Sequence, residues 1–176
     1  MGTGENDYAL LILTERTSAS APDVPLVYLE PSARNPQIGD EITLAGYPAG
    51  FGDVNLLESA LYLLQKPSQI INVVGFSGSG ADVLNTSPTS LAVQGSSGGA
   101  IVASDDTLFG IMVAVTVDNS TGQKNIQGIT LPYIQRSILS NSGKSFSYFI
   151  DNAHAEADNF EKNKAQALSS LLMQNL

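Results

Sequence analysis

Gly95-Ser96-Ser97-Gly98-Gly99-Ala100-Ile101-Val102-Ala103 decides how this chain is read, because a serine held between glycines runs directly into a β-branched stretch. A serine flanked by glycines can sit on a tight turn with its hydroxyl exposed. The missing Cβ atoms also let several main-chain N–H groups converge on one small volume. Acyl transfer needs such a volume, because converging donors stabilise a tetrahedral oxyanion. A plainer reading stays open beside it: a loop in which small residues only make a bend.

The residues that follow narrow the choice. Gly95-Ser-Ser-Gly-Gly99 also fits Gly-x-Ser-x-Gly, a nucleophile elbow that requires strand, turn and helix in that order. Here the turn is followed by β-branched runs at residues 100–103 and 108–117, joined by Ser104-Asp-Asp-Thr107 as a hairpin turn, so the elbow fails on context. Further strand candidates lie at residues 69–76, 82–86 and 125–131, and within Ile38-Gly-Asp-Glu-Ile-Thr-Leu-Ala-Gly-Tyr-Pro48, which begins as a turn. Short strands punctuated by glycine and proline predict an all-β fold, a closed antiparallel barrel or sandwich. Residues 14–36 hold Pro22, Pro25, Pro31 and Pro36 among Ser, Thr and Ala, which predicts a surface linker with a short extended piece at 26–29. Pro132 opens a helix over 132–139, where Ile134, Ile138 and Leu139 recur at helical spacing. Residues 141–145 read as a linker and residues 151–175 as a helical tail, with Phe160, Lys164, Leu168, Leu171, Leu172 and Met173 on one loosely apolar flank.

Composition excludes several kinds of chemistry. The 176 residues carry 8 Lys+Arg against 17 Asp+Glu, a net charge of −9. A nucleic-acid surface needs clustered cations, so none is expected. There is no cysteine and one histidine, His154, which leaves no thiolate zinc, iron–sulfur or disulfide chemistry and little scope for a histidine-built metal site. No metal is expected on these grounds, and no apolar run approaches the ~20 residues of a membrane-spanning helix.

The nucleophile segment resembles that of the trypsin-like (chymotrypsin-fold) serine peptidases, whose usual form is Gly-Asp/Asn/Ser-Ser-Gly-Gly-Pro. Other segments match in the right order. Asn6-Asp7-Tyr8-Ala9-Leu10-Leu11 resembles the stretch where the triad aspartate enters the last strand of the first barrel. Ile38-Gly-Asp-Glu and Ala45-Gly-Tyr-Pro48 resemble the opening of the second barrel. Phe109-Gly-Ile-Met-Val-Ala-Val115 resembles the substrate-binding strand, and Ile129-Thr-Leu-Pro-Tyr-Ile134 the last strand and terminal helix. The resemblance covers about residues 7–139. It implies that Ser97 is the nucleophile and that the N–H groups of Gly95 and Ser97 form the oxyanion hole. Asp7 would orient a histidine. Leu91, Ala92, Val93 and Gln94 would border an apolar or small pocket for the side chain before the scissile bond, and Val113, Ala114 and Val115 would pair with substrate backbone.

Ser96 and Ala100 depart from the family's aspartate and proline, as suits bacterial-type members that need no activating N-terminus. The larger departure is the histidine, which in the family precedes the aspartate. His154 lies 57 residues after Ser97, in Asp151-Asn-Ala-His154, and reads as a solvated helix start. The expectation is therefore the second barrel of a double-barrel peptidase with C-terminal helices. Residues 1–13 would be the last strand of an otherwise absent first barrel, 14–35 a linker, 36–140 the barrel with its terminal helix, and 141–176 a helical tail. Such a chain would be a truncated endopeptidase, inactive alone. The alternative is a non-catalytic peptide-binding barrel, a pseudoprotease. The expected partners are a peptide or protein substrate and either a complementing first-barrel segment or a second copy paired through residues 8–13, whose apolar run wants a neighbour. Location is not readable from the chain, although the resemblance favours a place outside the cytoplasm.

Overall fold

Alternation of side chains across a pleated backbone is what lets short apolar runs close into a cylinder. The computed structural model describes residues 6–12, 29–48, 63–76, 80–118 and 120–174. Six strands form in it: β1 (Glu41–Gly46), β2 (Leu64–Val74), β3 (Val83–Thr86), β4 (Ala100–Ala103), β5 (Leu108–Val117) and β6 (Lys124–Thr130). They pair antiparallel and close into a barrel in the order β1-β2-β3-β6-β5-β4. The expected antiparallel barrel with C-terminal helices is therefore present.

The inward positions fill it. Ile42 and Leu44 of β1 alternate with less buried neighbours, and they meet Ile70, Leu84, Ile101, Phe109, Met112 and Ile126 in one buried cluster. At roughly 1.5–3 kcal/mol for each fully buried large apolar side chain, this cluster is the main stabilising element of the barrel. Two buried threonines keep their hydrogen bonds. The Thr86 hydroxyl donates to the Ser87 carbonyl at 3.0 Å and accepts from the Ile126 N–H at 3.2 Å, while Thr130 donates to the Ala81 carbonyl.

β2 begins at Leu64, before the expected residue 69, and includes Pro67, which stands opposite Thr43 of β1. β3 pairs with β2 only from Ile70 to Val74. Pro67 thus lies where the ladder runs on one side, the place at which a residue without an N–H is tolerated. Most of the expected linker, including residues 26–28 of its extended piece, lies outside the described residues. Its end is bonded to the barrel: Pro31 bridges Leu108 in parallel, the Leu108 N–H donates to the Glu30 carbonyl at 2.8 Å, and the Ser32 N–H donates to the Leu108 carbonyl at 3.0 Å. Arg34 adds an ion pair to Asp40 at 2.7 Å, and its guanidinium stands 4.5 Å from the Phe109 ring centre. Residues 7–12, expected as a strand, belong to no strand among the described residues. Apolar content favours a strand there, but a strand exists only through bonds to a neighbour.

The chain divides into two compact units. One holds Met1–Tyr8 and Val27–Gln135, and the other Ala9–Leu26 and Arg136–Leu176. Helix α1 (Leu131–Ser142) starts one residue before Pro132, with Leu131, Ile134 and Ile138 buried and Leu139 outward. The helix expected over 151–175 is present as one continuous run of α3 (Ala153–Phe160), a π-helical turn (Glu161–Ala165) and α4 (Gln166–Met173), and a short helix that was not expected, α2 (Phe146–Asp151), precedes it. The Ser145 hydroxyl caps α2 by accepting from the Tyr148 N–H at 3.1 Å, which starts the helix inside the expected linker neighbourhood.

An ion pair joins the residue before the α2 cap to α3: Lys144 Nζ lies 2.7 Å from Glu156 Oε1, to which the hydroxyl of Tyr148 in α2 also donates at 3.2 Å. The Lys144 ammonium beside it holds the Glu156 carboxyl below its ordinary value, and the carboxylate in turn raises Lys144. A depressed acid contributes stability above its unfolded value and loses it as pH falls through the folded one. A raised base contributes below its unfolded value and loses it as pH climbs through the folded one. Order across residues 144–156 is therefore expected to peak in the neutral range and to loosen at both ends of the scale. Amide heteronuclear NOEs through a pH titration check this. A Glu156→Gln chain that keeps the acid-side loss unchanged would refute it.

Candidate active site

The Ser97 turn hangs between β4 and β5 by main-chain bonds. Gly98 N–H donates to the Met112 carbonyl at 2.8 Å, Met112 N–H returns a bond to the Gly99 carbonyl at 2.8 Å, and Gly99 N–H closes the turn on the Ser96 carbonyl at 3.1 Å. Gly95 has φ +91°, a left-handed conformation that costs a side-chain-bearing residue but not glycine. Gly99 is needed for space, because a Cβ there would stand 2.7 Å from the Ala45 carbonyl oxygen and 2.1 Å from Met112 Cε.

On this frame Ser97 is exposed, and its hydroxyl donates to the Val113 carbonyl at 3.3 Å. β5 makes that contact possible through a register shift between Met112 and Ala114, a bulge that frees Val113 from the β6 ladder. Among the described residues, the N–H groups of Gly95 and Ser97 donate to no partner within the chain. Ser97, Gly95, Gly98 and Gly99 line a groove of about 740 Å³, together with Gly46, Tyr47 and Leu63. Half-exposed Tyr47 and Leu63 give one wall an apolar character. Composition gave no hint of Leu63, and Tyr47 drew notice only inside Gly46-Tyr47-Pro48; the visible signal for both is large apolar residues at the ends of strands that neighbour the glycine loop.

The other expected site residues fall in different places. Val113 and Ala114 are half-buried, and Val115 is exposed on the same strand. Gln94 is exposed and Val93 half-buried, with the Val93 carbonyl accepting the Ser96 N–H at 3.4 Å. Leu91 and Ala92, expected to border the pocket for the side chain before the scissile bond, are fully buried and belong to the barrel's hydrophobic cluster. Their burial removes apolar area from water and anchors this segment in the core. Asp7 is exposed in the barrel unit, and His154 is exposed on α3 in the second unit. No group of three or more acidic or histidine side chains that would hold a metal occurs among the described residues, and none of their helices is long and apolar enough to cross a membrane.

The family model described as Trypsin matches residues 1–136. No curated protein matches the chain. Among solved structures, the Rv3671c protease in its inactive form is similar at 18% identity and a TM-score of 0.49, with 76% of this chain and 67% of that one covered. The active form of the same protease, from M. tuberculosis, is similar at 17% identity and a TM-score of 0.45, over 66% of this chain and 49% of that one. Kallikrein-related peptidase 10 is similar at 20% identity and a TM-score of 0.43, over 67% and 62%. The chain thus spans roughly half to two thirds of the length of these structures.

Proposed function

The chain belongs to the trypsin family, and from that membership we propose that it is the nucleophile-bearing barrel of a serine endopeptidase, with Ser97 as its nucleophile. The observation that carries this is Ser97 itself: an exposed hydroxyl on a glycine-framed turn, lining an open groove, with two main-chain amides beside it that bond to nothing else among the described residues. In the proposed reaction Ser97 Oγ bonds to the scissile carbonyl carbon and its proton passes to a general base. The carbonyl electron pair moves onto oxygen, where the Gly95 and Ser97 N–H groups receive it. Collapse breaks the C–N bond, the amine leaves with the proton, and water later releases the acyl group from Ser97. Asp7 is proposed to orient the base, and Val113–Val115 to hold substrate backbone in extended form.

The base is the weak link. Within these 176 residues the single imidazole is that of His154, and a serine hydroxyl without a base is a poor nucleophile near neutral pH. We therefore propose slow or absent turnover by the chain alone, with a fluorophosphonate as the sensitive test. Labelling at Ser97 is expected to be slow, to speed up when free imidazole is added, to vanish in Ser97→Ala and to persist in His154→Ala. Labelling that survives Ser97→Ala, or that depends on His154, overturns the assignment. A second reading, a barrel that only binds peptides, draws on the Ser97 hydroxyl already donating to the Val113 carbonyl. It predicts no imidazole-dependent labelling and peptide affinity unchanged by Ser97→Ala.

A further inference from the structure

We propose that Ser96 is the positioning residue of this site, holding the Gly95 and Ser97 amides in place through a hydrogen bond made wholly inside the loop. The proposal rests on the reading of Ser97 as nucleophile. The two adjacent serines behave oppositely. Ser97 is exposed, whereas Ser96 is 2% exposed, and its hydroxyl donates to the Leu91 carbonyl at 2.6 Å. Leu91 has no exposed surface and is packed in the barrel cluster, so the bond ties the loop to the most rigid part of the molecule. The Leu91 carbonyl also accepts the Val93 N–H at 2.8 Å, which makes it the hub of the turn.

Planarity carries the effect outward. The Ser97 N–H and the Ser96 carbonyl belong to one rigid peptide unit and point in opposite directions. That carbonyl accepts the Gly99 N–H at 3.1 Å, so its direction is fixed and the Ser97 N–H is directed the other way. The Ser96 side chain pins the Cα on which this unit turns. Gly95, at φ +91°, is conformationally free and would otherwise let the preceding unit rotate. Both ends of the Ser96 tether lie within residues 91–99, so this hold on the amide pair is separate from the bonds that Gly98 and Gly99 make with Met112 of β5.

The test uses the full chain and Ser96→Ala. Two readouts separate positioning from simple structural support. Amide ¹⁵N–¹H heteronuclear NOEs at Gly95 and Ser97 are expected to fall in Ser96→Ala while those of Ile101 and Phe109 hold. Affinity for a small apolar peptidyl boronate, whose tetrahedral adduct on Ser97 is seen by ¹¹B NMR and lost in Ser97→Ala, is expected to fall about tenfold, the size of one buried hydrogen bond. Affinity for the matching peptide carboxamide, which is planar, is expected to stay the same. Unchanged NOEs at Gly95 and Ser97 in a folded Ser96→Ala chain overturn the proposal, as does equal weakening of both ligands. If the parent chain forms no Ser97-dependent adduct, the nucleophile reading fails, and the NOE comparison alone decides the role of Ser96.

Discussion

Gly110→Ala is expected to cost about 3 kcal/mol of folding stability, near the upper end for overpacking. A Cβ at Gly110 would lie 2.3 Å from the Ile129 carbonyl oxygen, 3.1 Å from its carbon and 3.2 Å from the Thr130 Cα. All three obstacles are main chain of β6, so relief requires moving a strand and not a side chain. Gly128→Ala is the contrast. Its nearest obstacle, at 2.2 Å, is Ile101 Cδ1, the far end of a side chain, and the one main-chain atom near it, the Ile111 carbonyl oxygen, stands further off at 3.0 Å, so a smaller loss of about 1–2 kcal/mol is expected. Urea denaturation of the two variants ranks them, and Gly128→Ala proving the more damaging would contradict the argument. Gly110→Ala should also disturb the site, because β5 carries Met112 and Val113 to the Ser97 turn two and three residues further on.

Peptide turnover by the 176 residues alone is expected to lie about a millionfold below that of an intact triad enzyme, the deficit seen when nucleophile or base is removed from such a unit. This corresponds to ~8 kcal/mol of transition-state stabilisation. What survives is the contribution of the amide pair and of substrate binding. Because the members of a triad act together, a further Ser97→Ala change should lower the remaining turnover only slightly, even though it abolishes labelling. Steady-state hydrolysis of a small apolar peptide ester and amide measures this. Turnover near the ~10 s⁻¹ of a typical enzyme, or turnover lost on His154→Ala, would show that a working base is present after all.

The barrel was readable because β4 and β5 are apolar runs rich in Ile and Val that flank a turn, and because β1 alternates Ile42 and Leu44 with less buried residues. The first half of β2 was not, since Leu64-Gln-Lys-Pro67 lacks alternation and contains a residue that ordinarily interrupts strands. The exposed serine and its glycine frame were visible in the residues themselves. The fate of Leu91 and Ala92 was not, because resemblance places a segment along the chain without saying which side chains the core will claim. The tail helix was readable from composition; the short α2 before it was not, because the Ser145 cap and the end of α2 at Asp151 are set by short-range hydrogen bonds. The burial of Ser96 likewise has no signature in a run of small residues.

Pro67 has a consequence beyond its own strand. The stretch of β2 from Leu64 to Ser68 has β1 on one side and no ladder on the other among the described residues, which makes it the kind of unpaired border on which foreign strands template. An exposed lysine, Lys66, and the proline next to it sit in the middle of that border. One repels a like-charged newcomer and the other withholds a donor, so this border resists fibrous growth without closing off the groove beside Ser97.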